Sequence, residues 1–235
     1  MPTDPTTLVQ TYRGRFIVLD GPDGAGKSTQ QKLLADFLET AGAEVVSCRD
    51  PGGTEIGNRI RSVLLDYDLS KMAVNCETLL FMASRAQLVS EVIRPALQAG
   101  NTVVCDRFVT STCAYQGAAG DDPKRVIEIA GFAIGNCWPD VTVVIDVDTD
   151  EGFERIEDRP ARGGGQSAPA EQCAKVRNGR HDAMEARSAD FHRRVREMFL
   201  TVHQYYPTPV VVVDGRGDVD AVHQRILEAL SSVTP

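Results

Sequence analysis

Residues 21–28 read GPDGAGKS, which fits G-x-x-x-x-G-K-[ST] and constrains this chain more than any other stretch. The motif sits at a junction that its mechanism requires. Residues 15–20, RFIVLD, read as a short buried strand, and residues 27–41 place Leu33, Leu34, Phe37 and Leu38 at helical spacing before Gly42 stops the pattern. Glycines let the backbone curl so that successive N–H groups point inward at phosphate oxygens. The helix that follows turns its positive end toward the same oxygens. The expected cradle is Gly21, Pro22, Asp23, Gly24, Ala25, Gly26, Lys27, Ser28 and Thr29. Within it, Lys27 would reach the β- and γ-phosphates of ATP and Ser28 would ligate Mg²⁺.

Further apolar runs alternate with helical patterns, the signature of a parallel α/β sheet. Strands are expected at 44–48 (EVVSC), 102–106 (TVVCD), 141–147 (VTVVIDV) and 209–214 (PVVVVD). Helices are expected at about 56–65, 77–99, 123–135 and 218–232. Unbroken Val/Ile runs imply a sheet covered on both faces. The prediction is an α/β fold of the P-loop kinase type: about five parallel strands, helices on both faces and an arginine-bearing lid. Residues 1–14 read as an N-terminal extension and 15–235 as one domain, with the lid inserted at about 155–182. The lid expectation comes from PARGGGQSAPAEQCA at 160–174, a Gly-, Ala- and Pro-rich loop among Arg155, Arg159, Arg162, Arg177 and Arg180.

Composition narrows the partners. Across 235 residues the formal net charge is -8, so no overall positive field favours nucleic acid or an anionic membrane. Anionic substrates must be met by local clusters of Arg and Lys. No segment approaches the ~18 apolar residues of a bilayer span, and the first dozen lack a signal-peptide pattern. The six cysteines include no C-x-x-C pair, which points away from a zinc site or a disulfide framework. A cytoplasmic chain with reduced thiols is expected.

Asp106-Arg107 follows the strand TVVCD directly, at the edge where open α/β sheets bind ligands. Asp106 would organise Mg²⁺, and Arg107 would grip a second phosphate through its paired donors. Arg49 and Arg85, the latter near Phe81, would add to an anion site if the fold brings them to the same cleft. Lid arginines would stabilise charge on the transferring group. No guanine-reading N-K-x-D is present, so a GTPase is not indicated. His181, His192, His203 and His223 are scattered along expected helices and read as surface or packing residues. An acceptor that is itself a phosphate needs no general base.

The chain resembles the bacterial type of thymidylate kinase from about residue 15 to 232. The resemblance is carried in order by FIVLDGPDGAGKSTQ, RDPGGTEIG, LLFMASRAQ, DRFVTSTCAYQG, PDVTVVIDVD and DAMEARSADFHRRVREMF. It implies transfer of the γ-phosphate of ATP to dTMP, giving dTDP for dTTP synthesis, by a homodimer with Mg²⁺. A kinase for another deoxynucleoside monophosphate or a deoxynucleoside is the alternative, and a nucleotide-dependent switch with weak catalysis is a further one. The resemblance also implies roles. Asp23 would contact the 3′-hydroxyl of dTMP, Phe81 would stack on thymine with Arg85 at its polar edge, and Arg107 would hold the dTMP phosphate. Ser111, Thr112 and Gln116 would lie near the base, Tyr115 would crowd the 2′ position and Pro51 would wall the base pocket. Arg49 joins this substrate set. The catalytic set is Lys27, Arg107, Arg155 and Arg159. Ser84, Leu88, Phe108 and Ala183 depart from the family's usual Asp, His, Tyr and Arg, and the lid is longer than in close bacterial examples.

Overall fold

The computed structural model describes residues 5–66, 72–157, 184 and 187–233. Five strands form one parallel sheet in the order β2-β3-β1-β4-β5: β1 (Phe16–Asp20), β2 (Val45–Arg49), β3 (Thr102–Asp106), β4 (Val141–Asp146) and β5 (Val210–Asp214). β1 and β3 are buried at every position, as their unbroken apolar runs require. Alternation along β1 divides the core into two layers. Phe16 and Val18 face α4 (Val74–Leu88), α6 (Val109–Ala118), α7 (Pro123–Ile134) and α9 (Ala189–Thr201). Ile17 and Leu19 face α2 (Lys27–Thr40) and α10 (Val219–Ser232).

The expected strands and helices are all present, with shifts of a few residues at their ends. The long helix expected at 77–99 is α4 followed by a π-turn (Val89–Ile93) and α5 (Arg94–Gln98). Pro95 has no N–H to give to an i−4 carbonyl, so the ladder widens just before it. α3 (Glu55–Asp66) leans on α4, and α8 (Thr149–Glu157) follows β4.

Residues read as an N-terminal extension contain a docked helix, α1 (Pro5–Tyr12). Leu8 and Tyr12 are buried in the second layer. The Tyr12 hydroxyl donates to the Leu230 carbonyl at 2.9 Å, and Thr102 Oγ1 donates to the Tyr12 carbonyl at 2.9 Å. All five described cysteines are free thiols. Among the described residues, no helix is long and apolar enough to cross a membrane.

Candidate active site

The phosphate loop leaves β1 and enters α2 as its motif dictates. Gly26 caps α2 with φ 85° and, lacking a side chain, leaves the helix's first N–H groups without a side-chain cap. Gly24 has φ 79°, and a Cβ there would stand 2.1 Å from the Gly152 carbonyl oxygen. Only glycine fits that approach between the loop and α8. Lys27 Nζ donates to the carbonyls of Gly21 (3.0 Å) and Pro22 (2.6 Å). Burial, then Arg107, lowers the Lys27 pKa to about 8, against the opposing pull of Asp23, Asp106 and Asp20.

Ser28 Oγ donates to Asp106 Oδ2 at 2.6 Å, tying α2 to the end of β3. Asp106 Oδ1 is buried and has no hydrogen-bond partner among the described residues. Burial pushes the Asp106 pKa up, but Lys27, Arg107, the Ser28 hydrogen bond and Arg49 outweigh it, and the net shift is downward. Two hard oxygen donors, one with spare lone pairs, suit Mg²⁺. Arg49 Nε lies 3.9 Å from Asp106 Oδ2.

Arg107 occupies the left-handed region, with φ 72°. A non-glycine residue there costs about 1–3 kcal/mol and persists only where its surroundings fix it. Its N–H donates to the Leu19 carbonyl at 3.0 Å. Next to it, the fully buried Asp20 carboxylate accepts from Thr110 Oγ1 (2.5 Å), Ser111 Oγ (2.6 Å) and the Gly21 N–H (2.9 Å). Asp20 therefore pins the start of α6 to the start of the phosphate loop. Arg107 Nη2 reaches Asp23 Oδ1 at 2.5 Å, Nη1 reaches Ser111 Oγ at 3.0 Å, and the guanidinium lies 5.3 Å from the Tyr115 ring centroid. Tyr115 donates its hydroxyl to Asp23 Oδ2 at 2.6 Å. Burial would raise the Asp23 pKa, yet Arg107, Lys27 and Tyr115 prevail and hold it low.

Arg85 closes the far end. It is fully buried, with Nε on Asp50 Oδ2 at 2.7 Å and Nη2 on Thr112 Oγ1 (2.9 Å) and the Phe108 carbonyl (3.1 Å). Nη1 meets only the soft Met82 sulfur among the described residues, at 3.0 Å. Burial raises the Asp50 pKa in spite of Arg85. The Asp50–Pro51 peptide is cis, and Arg61 Nη1 holds the Pro51 carbonyl at 2.8 Å. Three departures from the family pattern find ordinary contacts. Ser84 Oγ accepts from the Gly52 N–H, Leu88 packs over Gly53, and Phe108 sits edge-on to Phe16.

The phosphate loop, Asp106, Arg107 and Arg85 face one cavity of about 320 Å³. Every residue expected to bind the acceptor lines it: Asp23, Arg49, Pro51, Phe81, Arg85, Arg107, Ser111, Thr112, Tyr115 and Gln116. Gly24, Gly26, Lys27, Ser28, Thr29 and Asp106 complete the wall nearest the loop. Arg155 does not line it. Its guanidinium bonds Glu151 and, at 3.0 Å, the Gly215 carbonyl. Arg159, Arg162, Arg177, Arg180, His181 and Ala183 lie outside the described residues. Among the described histidines, His192 packs against Phe153 and His223 meets Gln30, as packing residues do. Asp20, Asp50, Arg61 and Met184 were not singled out from sequence. Asp20 ends the strand before the loop, which was the available signal; the other three sit in ordinary local patterns.

A family model described as thymidylate kinase matches residues 19–164. A thymidylate kinase of Pelobacter propionicus is 40% identical over 215 residues, 91% of this chain and 92% of that one. That of Syntrophotalea carbinolica is 42% identical over 212 residues, covering 90% and 92%. That of Roseiflexus sp. is 39% identical over 212 residues, covering 90% and 91%.

Proposed function

The chain belongs to the thymidylate kinase family, and we propose that this cavity is where it carries out the family's reaction. The enzyme is a dTMP kinase: it transfers the γ-phosphoryl group of a nucleoside triphosphate, read as ATP, to dTMP and yields dTDP. The observation that carries the assignment of roles is the Asp23–Arg107–Tyr115 cluster, which joins the phosphate loop to the acceptor half of the cavity.

In this reading the loop N–H groups and Lys27 hold the β- and γ-phosphates, while Arg107 grips the phosphate of dTMP. That phosphate oxygen is already an anionic nucleophile, so no side chain has to remove a proton. Catalysis is then positioning plus charge stabilisation. Ser28 and Asp106 would hold Mg²⁺, which when bound neutralises phosphate charge. Phe81 stacks on thymine, Pro51 walls the base, Arg85 meets its polar edge, and Tyr115 crowds the 2′ position. Arg155 and Arg159 remain the arginines proposed to close over the transferring group, as part of a lid at about 155–182. Support for Arg155 is its place one turn beyond Gly152, whose carbonyl abuts the loop at Gly24.

A homodimer in the cytoplasm is part of the same proposal. Ile56 and Val63 on α3, Leu79 on α4 and Phe132 on α7 are exposed apolar side chains on adjoining helices. Sedimentation analysis of wild type and Phe132→Glu tests it, and a monomeric wild type would end it. The activity is tested by a coupled ADP-release assay over the deoxynucleoside monophosphates. Preference for dTMP is expected; preference for another monophosphate, or turnover with thymidine alone, would overturn the substrate assignment.

A further inference from the structure

Gln116 on α6 lines the acceptor end of the cavity and is fully buried. Its Nε2 donates to Glu77 Oε2 on α4 at 3.1 Å. Glu77 is buried as well, and its Oε1 accepts from Arg187 Nη2 at 2.6 Å. Arg187 in turn lies over the Phe191 ring, 4.7 Å from its centroid. The two ends of an amide side chain are nearly alike in shape, so a neighbour has to decide which way it faces. A carboxylate paired with Arg187 can only accept. The NH₂ group of Gln116 must therefore face Glu77. Its Oε1 is left buried, with no hydrogen-bond partner among the described residues.

We infer that Glu77, held by Arg187, is a positioning residue that fixes the Gln116 amide and so makes the cavity read the N3–H of a pyrimidine. A buried carbonyl oxygen that lacks a partner selects a donor on the ligand. Thymine and uracil carry a hydrogen on N3, whereas neutral cytosine presents a lone pair there, and lone pair against lone pair is repelled. Discrimination is steep when a mismatched ligand leaves buried polar groups unpaired. Arg85 faces the cavity from a different helix position, so reading at the 4-position is a separate matter. The inference rests on dTMP being the acceptor and adds the origin of its polarity.

Glu77→Gln is the test, because a glutamine offers either an oxygen or an NH₂ and releases the amide of Gln116 to turn. The quantity measured is the ratio of kcat/KM for dTMP to that for 5-methyl-dCMP, which differ only at N3 and the 4-substituent. The ratio is expected to fall about tenfold or more, with KM for dTMP rising more than kcat falls. A merely structural role would lower both substrates alike and leave the ratio unchanged, which overturns the inference. If the variant does not fold, wild type is assayed with the 3-deaza analogue of dTMP, which carries C–H in place of N3–H. A large rise in KM supports the inference and parity with dTMP overturns it. A wild type without dTMP preference would overturn the substrate assignment as well, so the two failures are distinguishable.

Discussion

Tyr115 and Asp23, 92 residues apart in the chain, share a hydrogen bond of 2.6 Å that ties the acceptor wall to the phosphate loop. Asp23 also faces Arg107 and Lys27, and the three partners together hold its pKa below the usual carboxylate value against the effect of burial. A lowered native pKa means that Asp23 stabilises the fold fully above its unfolded pKa of about 3.9 and loses that contribution as pH falls through the native value. Tyr115→Phe removes one of the lowering contacts. The variant should be destabilised at pH 7 by about 1–3 kcal/mol, as for the loss of a hydrogen bond to a charged group. The difference from wild type should shrink below about pH 3–4. Denaturant melts at pH 7 and pH 3 check this, and a gap that is constant with pH would refute it.

In the proposed assignment, Arg107 grips the acceptor phosphate while Lys27 and the loop N–H groups hold the donor. Arg107→Ala should therefore leave the affinity for ATP nearly unchanged but lower kcat/KM for dTMP by about 10²–10³-fold or more. Calorimetric titration of each nucleotide separates the two effects. Equal loss of ATP and dTMP binding would mean that Arg107 shapes the loop itself through its contacts with Asp23.

Lys27 gives a pH dependence of the opposite kind. Its pKa in the ligand-free protein lies at about 8, well below the ordinary lysine value, chiefly because it is buried. Phosphate oxygens favour the charged ammonium, so nucleotide binding near and above pH 8 must take up a proton. The apparent affinity for ATP should weaken up to about tenfold per pH unit above that point. kcat at saturating ATP should hold to higher pH, because the bound state keeps the proton. Titrations in buffers of different ionisation enthalpy would detect the uptake. In Lys27→Met both the uptake and this pH dependence should vanish.

What could be read from the sequence was what is local. β1, β3 and β4 are continuous apolar runs, and the phosphate loop is a contiguous motif, so their positions followed from spacing alone. Glu77 carries no such mark, and Asp20 carries only its place at the end of the strand before the loop. Asp20 matters because Thr110, 90 residues away, brings its hydroxyl to the carboxylate, and Glu77 because Arg187 reaches it across 110 residues. A single acidic residue at a strand end or on a helix has the same local pattern whether or not it finds such partners. α1 is hidden for a related reason: PTTLVQTY carries three threonines and a valine in eight residues, and β-branched side chains disfavour a helix in isolation. It is helical because Leu8 and Tyr12 have somewhere to go.

That last point can be tested at Tyr12. Its ring fills the layer between β1 and α10, with no solvent exposure, and its hydroxyl holds the Leu230 carbonyl. Tyr12→Phe keeps the ring and loses the bond, so the cost should be about 1 kcal/mol, somewhat more if the carbonyl stays dry. Tyr12→Ala removes the ring and should cost about 3–5 kcal/mol, the range for emptying an aromatic site in a core. Tyr12 lies outside the cavity lining, so kcat/KM for dTMP at 25 °C should stay within about twofold of wild type for either variant, provided the protein remains folded. Thermal melts beside steady-state rates decide the matter. If deleting residues 1–13 leaves the melting temperature unchanged, α1 contributes nothing to the fold. If the deletion lowers the melting temperature about as much as Tyr12→Ala does, the helix acts mainly through this one ring.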